Sequence, residues 1–381
     1  MSDPTAATGA PFAWTEEHVE FRGFLRKKLE SLSPRASARA SLEDPASGVD
    51  DATWRELADE IGLTGLTLPE EYGGSGFGRV EQALAGEELG RALVGGPYLS
   101  TVVLAAQAIL HSGDDASMAA HLPGIAAGRT LAALAVAEGG TAWDVAATTA
   151  TVTDGVLTGT KDAVVGAAGA DLLVVSARDG EQVSLFLVDP ADDTVTVIAL
   201  EALDATRPLA RVRFDGTPGV RLGEPGAAPA VLDAVREGAA IHLAAEQAGG
   251  SRACVDLTAR HARERVQFGV PIGRFQGVKH RLADMEVRTA QAHAAAVWAA
   301  WQRPGTAEAS LGASVARSWC SESFVQTAFD MVQLFGGIAI TWEHDAHLYL
   351  RRAQADAVLL GSAADDRRRL ENFIDPERST R

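Results

Sequence analysis

Three zones with different hydrophobic periods follow one another along the chain. From about residue 15 to 128, apolar residues recur at helical spacing, as at Trp54, Leu57, Ala58 and Ile61. The breaks fall in the glycine-rich string 68–76 and at Gly95-Gly96-Pro97. From about 130 to 223 the pattern shortens to β-branched runs at 149–153, 172–176, 184–188, 194–200 and 210–214. Asp154-Gly155, Asp179-Gly180 and Asp189-Pro190 punctuate these runs as turns, so the zone reads as an antiparallel β-domain. From about 231 to 370 the chain is Ala-rich, with long helical segments and few breakers. The pattern predicts an N-terminal helical domain over 1–128, a middle β-domain over 129–225 and a helical bundle over 226–381. The charged, Pro-containing tail 373–381 is expected to fray.

Charge narrows the possible partners. A formal net charge of -17 argues against a nucleic-acid surface and against an anionic membrane, since both need clustered positive charge. An anionic small molecule would have to be met locally, and Arg260, Arg263 and Arg265 lie together on one helical segment. Cys254 and Cys320 make neither a disulfide framework nor a metal site. His344 and His347 have no completing ligand set, so no metal is expected. The start, Met1-Ser-Asp-Pro-Thr5, lacks a basic region followed by an apolar run, and no uncharged apolar stretch reaches the roughly 18 residues of a membrane helix. These features predict a cytoplasmic protein.

Two strings carry more specific information. One is Arg263-Glu-Arg-Val-Gln-Phe-Gly-Val-Pro-Ile-Gly-Arg-Phe-Gln-Gly-Val-Lys-His-Arg-Leu-Ala-Asp-Met285; the other is Gln333-Leu-Phe-Gly-Gly-Ile-Ala-Ile-Thr-Trp-Glu-His-Asp-Ala-His-Leu-Tyr-Leu-Arg351. In this order and spacing they resemble the C-terminal half of the acyl-CoA dehydrogenase family of flavoproteins. The string Gly62-Leu-Thr-Gly-Leu-Thr-Leu-Pro-Glu-Glu-Tyr-Gly-Gly-Ser-Gly76 resembles its N-terminal mark. The likeness covers roughly residues 15 to 370. It implies an α+β multidomain fold with a helical domain, a middle antiparallel β-barrel and a C-terminal four-helix-type bundle that also makes the oligomer contacts. It implies FAD as cofactor, an acyl-CoA substrate and an electron-transferring flavoprotein as acceptor. It further implies a homodimer or homotetramer, or a heterotetramer with a paralogous chain.

The resemblance also nominates cofactor-binding residues. The segment 134–144 is similar to the family stretch that lies along the flavin ring and pyrophosphate, and it supplies Glu138, Gly140 and Trp143. Trp143 stands where a small hydroxyl residue is commonest, and so looks like the bacterial subset associated with steroid and other bulky CoA thioesters. The segment 157–172 resembles the family's Gly-x-Lys strand and loop, with Val164 as its candidate. Many members carry a Trp and a Thr in that loop, whereas this chain has Ala163 and Val165, leaving apolar contact and backbone N–H groups. Arg265 and Gln276 would reach a partner's FAD, with Gln333, Gly336 and Gly337 completing that pocket and Ser362 as a further contact. Arginine offers pyrophosphate a two-pronged donor, and glycines expose backbone donors.

Acyl-CoA dehydrogenation needs a carboxylate to take the proton α to the thioester. At the usual family position stands Leu360, and the alternative position falls near Ala239 and Ala240. Glu246 lies seven residues beyond, two turns along the same helix and on the same side. A lone carboxylate among Ala and Gly must be functional or paired. Glu246 is the candidate base, with burial expected to raise its pKa; an ion pair with a nearby Arg is the other reading. The missing base and the thinned flavin loop also fit a supporting chain of a two-chain enzyme.

Overall fold

In the computed structural model, which describes residue 12 and residues 14–32, 34–42, 51–140 and 143–374, the first zone is helical. It contains α1 (Glu16–Leu32), α2 (Pro34–Ala40), α3 (Asp51–Arg55), α4 (Arg79–Ala92), α5 (Ala106–His111) and α6 (Asp115–Ala126). A π-helical segment, Tyr98–Ala105, runs directly into α5 with every residue buried. Its sequence has no polar face, so it can only be a core element. Leu25, Leu29, Trp54, Leu57, Leu68, Val102 and Leu122 form the core around it.

The second zone forms one eight-stranded sheet from β1 (Ala132–Ala135), β2 (Thr151–Thr153), β3 (Val156–Val165), β4 (Leu172–Asp179), β5 (Gln182–Val188), β6 (Val195–Leu200), β7 (Leu209–Pro218) and β8 (Val220–Leu222). The order is β6-β7-β3-β2-β4-β5-β8, with β1 added against β4. Asp154 and Gly155 both take positive φ and close the β2–β3 hairpin, as that dipeptide favours. Two features differ from the expected antiparallel barrel. The β1–β4 and β2–β4 pairs are parallel, and β6 and β8 are left as edges rather than closing on each other. Both parallel pairs arise because the β2–β3 hairpin intervenes before the chain returns as β4. Inward residues such as Val152, Leu157, Leu173, Val175, Phe186, Val212 and Phe214 fill the interior.

The third zone holds α7 (Ala228–Glu264), α8 (Gln276–Ala300), α9 (Ala307–Phe335), α10 (Ala346–Asp356) and α11 (Ala363–Ile374). The three long helices pack on one another through Ala240, Ala244, Ala248, Ala292, Ala296, Ala313 and Ala316, while α10 and α11 lie on α9. A short hairpin, β9 (Val266–Gln267) with β10 (Val270–Pro271), joins α7 to α8. By length and composition α9 could cross a membrane, but it carries Arg317 and Asp330 and packs inside the bundle. The tail expected to fray begins within α11, and residues 375–381 lie outside the described residues.

The contact between α4 and α7 fixes where the buried carboxylate of α7 sits. A Cβ at Gly90 would lie 2.0 Å from the Glu246 carbonyl oxygen, and one at Gly249 would lie 1.8 Å from the Glu87 carbonyl oxygen. Only glycine lets the two backbones meet this closely. That approach sinks the middle of α7, with Glu246, beneath the N-terminal domain.

Candidate functional site

Glu246 lies at the centre of a buried ion cluster. It is 3% exposed, and its carboxylate accepts from both Arg207 and Arg352, the latter at 2.5 Å. Arg207 also donates to Asp356, while Arg352 donates to Asp204 at 2.5 Å, to the Thr206 hydroxyl and to the Val94 carbonyl at 3.1 Å. Arg317 donates to the Asp356 carbonyl and, at 2.9 Å, to that of Leu359. Two guanidinium groups, Arg207 and Arg352, therefore pair with three carboxylates, while Arg317 binds backbone carbonyls beside them; the members come from the β6–β7 connection, α7, α9 and α10. Such an arrangement survives burial because Arg207 and Arg352 share Glu246 and hold Asp356 and Asp204; removing one would strand the rest.

The electrostatics reverse one expectation. Burial alone pushes the Glu246 carboxyl upward, but Arg207 and Arg352 outweigh it and hold the pKa down at about 2. A carboxylate so stabilised accepts a proton poorly. Asp356 goes the other way: burial is the largest influence and brings it up to about 6. His242, with Nε2 3.7 Å from Glu246, is kept neutral by burial, at about 4.

The residues expected beside a flavin ring meet at a second place. Trp143, Ala163, Val164, Val165, Leu359 and Leu360 converge with Leu104, Leu134, Val136 and Ala137 around a cavity of about 10 Å³. That is room for one water at most. Ala163 and Leu360 both hold left-handed φ, +49° and +60°, although neither is glycine. Each conformation costs on the order of 1–2 kcal/mol, and such strain gathers at functional sites. The backbone thus keeps a strained shape, and the one charged side chain in the lining, Asp162, is held by Arg211 and the Gly139 N–H. Glu138 is engaged elsewhere: Lys161, fully buried, donates to it at 2.5 Å, and Thr149 and the Ala150 N–H donate too. Gly140 is exposed with open space beside it, and Thr141 and Ala142 lie outside the described residues. The Val164 side chain is buried in the sheet interior. The Ser362 hydroxyl donates to Asp365 at 2.7 Å in a reciprocal cap that starts α11.

The remaining candidates gather at one end of the bundle, in the open. Arg265 ends α7, Gln276 begins α8, and Gln333, Gly336 and Gly337 end α9; all five are exposed. Phe335 stacks on His261 with ring centroids 4.1 Å apart, which ties the α9 terminus to the last turn of α7. The Arg265 side chain makes no ion pair among the described residues. Gly336 takes φ +70°, and a Cβ at 336 or 337 would meet nothing within 4 Å. The glycines therefore leave bare backbone facing outward just beyond the C-terminus of α9. Around them stand apolar side chains in water: Phe268 is 92% exposed, Ile340 76% and Trp342 64%.

No motif marks Arg207, Asp204 or Asp356, so the cluster is invisible until the fold brings residues 39 to 149 positions apart together. What sequence does show is Glu246 as an anomaly in its Ala-rich surroundings.

Comparison with known proteins follows the same division. The model of the acyl-CoA dehydrogenase N-terminal domain matches residues 15–129, and that of the C-terminal domain matches residues 236–372. The chain is 36% identical over 359 residues to acyl-CoA dehydrogenase IpdE2 of Mycobacterium tuberculosis, covering 93% of this chain and 98% of that one. It is also 36% identical over 359 residues to FadE34 of the same organism, covering 92% of this chain but only 47% of FadE34. Among solved structures, the ChsE4-ChsE5 complex from M. tuberculosis superposes with a TM-score of 0.84 at 27% identity, covering 96% of this chain and 99% of the compared chain.

Proposed function

The chain belongs to the acyl-CoA dehydrogenase family, flavin-dependent oxidoreductases acting on CH–CH bonds, and from that premise we propose that it works as one chain of a two-chain enzyme. In this reading it lends Arg265, Gln276, Gln333, Gly336 and Gly337 to the nucleotide end of an FAD whose ring lies in a paralogous partner. The observation that carries it is the unequal state of the two halves of the flavin site. The phosphate end is exposed and carries Arg265; the ring end keeps about 10 Å³ between Trp143, Val164 and Leu360, and the positions where many relatives carry a Trp and a Thr are Ala163 and Val165. Leu360 and Ala239 leave the two usual base positions empty, and Glu246 acts as the anchor of an ion cluster instead. The exposed Phe268, Ile340 and Trp342 support a covered surface beside the same residues. The match to about half of FadE34, and the pairing named in the ChsE4-ChsE5 structure, are consistent with joined chains in relatives. A bulky acyl-CoA as substrate, an electron-transferring flavoprotein as acceptor and a cytoplasmic location complete the reading.

Co-expression with a paralogous chain tests it. The chain alone should purify with little flavin, and the pair should yield a yellow heteromeric assembly whose flavin is lost with Arg265→Ala in this chain. A homo-oligomer carrying one FAD per protomer would overturn the reading.

A further inference from the structure

A separate cavity of about 320 Å³ opens where α1 and the start of α2 meet the last turn of α4 and the later turns of α7. No residue nominated for the flavin or the base lies in its wall. Leu29, Ala253 and Leu257 make one side apolar. The rest is charged, with Arg26, Arg35, Arg91 and Arg260 set against Glu30, Glu88 and Asp256. A local excess of arginine runs against the composition of a chain whose net charge is -17.

The pairing inside the cavity is uneven. Arg26 donates to Glu88 through its Nε at 2.8 Å, and Glu30 acts on the same guanidinium. Arg91 pairs with Asp256 at 2.9 Å. All three carboxylates are therefore engaged by Arg26 or Arg91. Arg35 has no carboxylate partner among the described residues and donates instead to the Tyr349 hydroxyl. That hydroxyl belongs to a fully buried side chain and itself donates to the Arg91 carbonyl at 2.9 Å. A neutral partner of this kind orients a guanidinium without cancelling its charge. Arg260 is exposed and makes no ion pair among the described residues. Two uncompensated guanidinium groups, one from α2 and one from α7, thus share a single hollow.

We propose that this cavity binds a small organic phosphate, its phosphate held by Arg35 and Arg260 and its apolar body lying against Leu29, Ala253 and Leu257. A carboxylate has two oxygens and one guanidinium fork can occupy both, whereas a phosphate has further oxygens for a second fork. The volume stands at the lower end of the range for whole small-molecule sites, which limits the ligand to a compact one. Bound there, the anion replaces the repulsion between the two arginines with a shared partner and bridges α2 to α7. The proposal rests on neither the two-chain reading nor the acyl-CoA substrate.

Calorimetric titration of phenyl phosphate into the full chain, in the assembly in which it purifies and in phosphate-free buffer, tests it. Phenyl phosphate should bind, and benzyl alcohol, which keeps the ring and lacks the charge, should not. Arg35→Gln and Arg260→Gln should each weaken binding by about tenfold to a hundredfold, the value of a charge-assisted hydrogen bond. Should Arg35→Gln fail to fold through loss of the Tyr349 contact, Arg260→Gln carries the test. No binding of phenyl phosphate, equal binding of benzyl alcohol, or unchanged affinity in the folded arginine variants would each overturn the inference. Loss of binding in Arg265→Ala instead would place the phosphate at the flavin end and overturn it too. Flavin content of the same preparations reports on the two-chain reading separately.

Discussion

Arg352 and Arg265 are the same side chain in opposite surroundings. Arg352 is 1% exposed and directs its guanidinium to Glu246, Asp204, the Thr206 hydroxyl and the Val94 carbonyl. Arg265 is exposed, with no ion-pair partner among the described residues, beside glycines whose backbone faces open space. The buried region consumes its charges in holding the β-domain connection to the bundle. The exposed region keeps the Arg265 guanidinium without an ion-pair partner among the described residues, which is the condition for binding something that arrives later. Function in this chain is therefore to be sought where polar groups are unpaired, not where they are most densely clustered.

The strongest way to break that comparison is to remove the anchor. Glu246→Ala leaves Arg207 and Arg352 buried without their shared carboxylate and should destabilise the fold by about 3–5 kcal/mol in denaturant titration. A loss below about 1 kcal/mol would mean that the cluster is not holding the domains. Protonation tests the same region. His242 is held at about 4 in the fold against 6.5 in the open chain, so the folded state binds fewer protons between those values. Its contribution is present above pH 6.5 and lost as pH falls toward 4, on the order of 3 kcal/mol. Asp356, raised to about 6, works in the opposite direction and favours the fold as pH falls through 6. His242→Gln should therefore gain stability relative to the parent on acidification from pH 6.5 to 4, and parallel pH curves would contradict this.

At the exposed end the signs change. Arg265→Ala should shift unfolding by less than about 1 kcal/mol, as an exposed charge without a partner does. In the two-chain assembly it should weaken FAD retention by about tenfold to a hundredfold, the value of a charge-assisted phosphate contact. Unchanged flavin occupancy would remove Arg265 from the site. The smallest effect expected is at Ser362. Losing its reciprocal cap with Asp365 should cost about 1 kcal/mol and leave flavin content unaltered.

The periodicity along the chain was enough to divide helix from strand and helix again, because burial imposes a period of 3.6 or 2 on each element. The four-residue β1, Ala-Ala-Leu-Ala, escaped it because alanine carries no strand signal and all four residues are buried. The residues proposed for the phosphate end could be nominated from sequence because they sit in two short strings around helix ends. The cluster was not: its members lie in the β6–β7 connection, mid-α7 and α10, and no local pattern records that Gly90 and Gly249 let α4 and α7 touch. Burial of Glu246 was inferred correctly from its alanine neighbours, yet the direction of its pKa was not, since that depends on two arginines 39 and 106 residues away.

The central claim is that this chain supplies the nucleotide end of a flavin site and neither the ring pocket nor the base. Anaerobic mixing with an acyl-CoA, with flavin absorbance as the readout, tests it most directly. The chain alone, reconstituted with excess FAD, should show no bleaching with any acyl-CoA, and bleaching should begin only when the paralogous chain is added. Flavin reduction by the chain on its own would contradict the account.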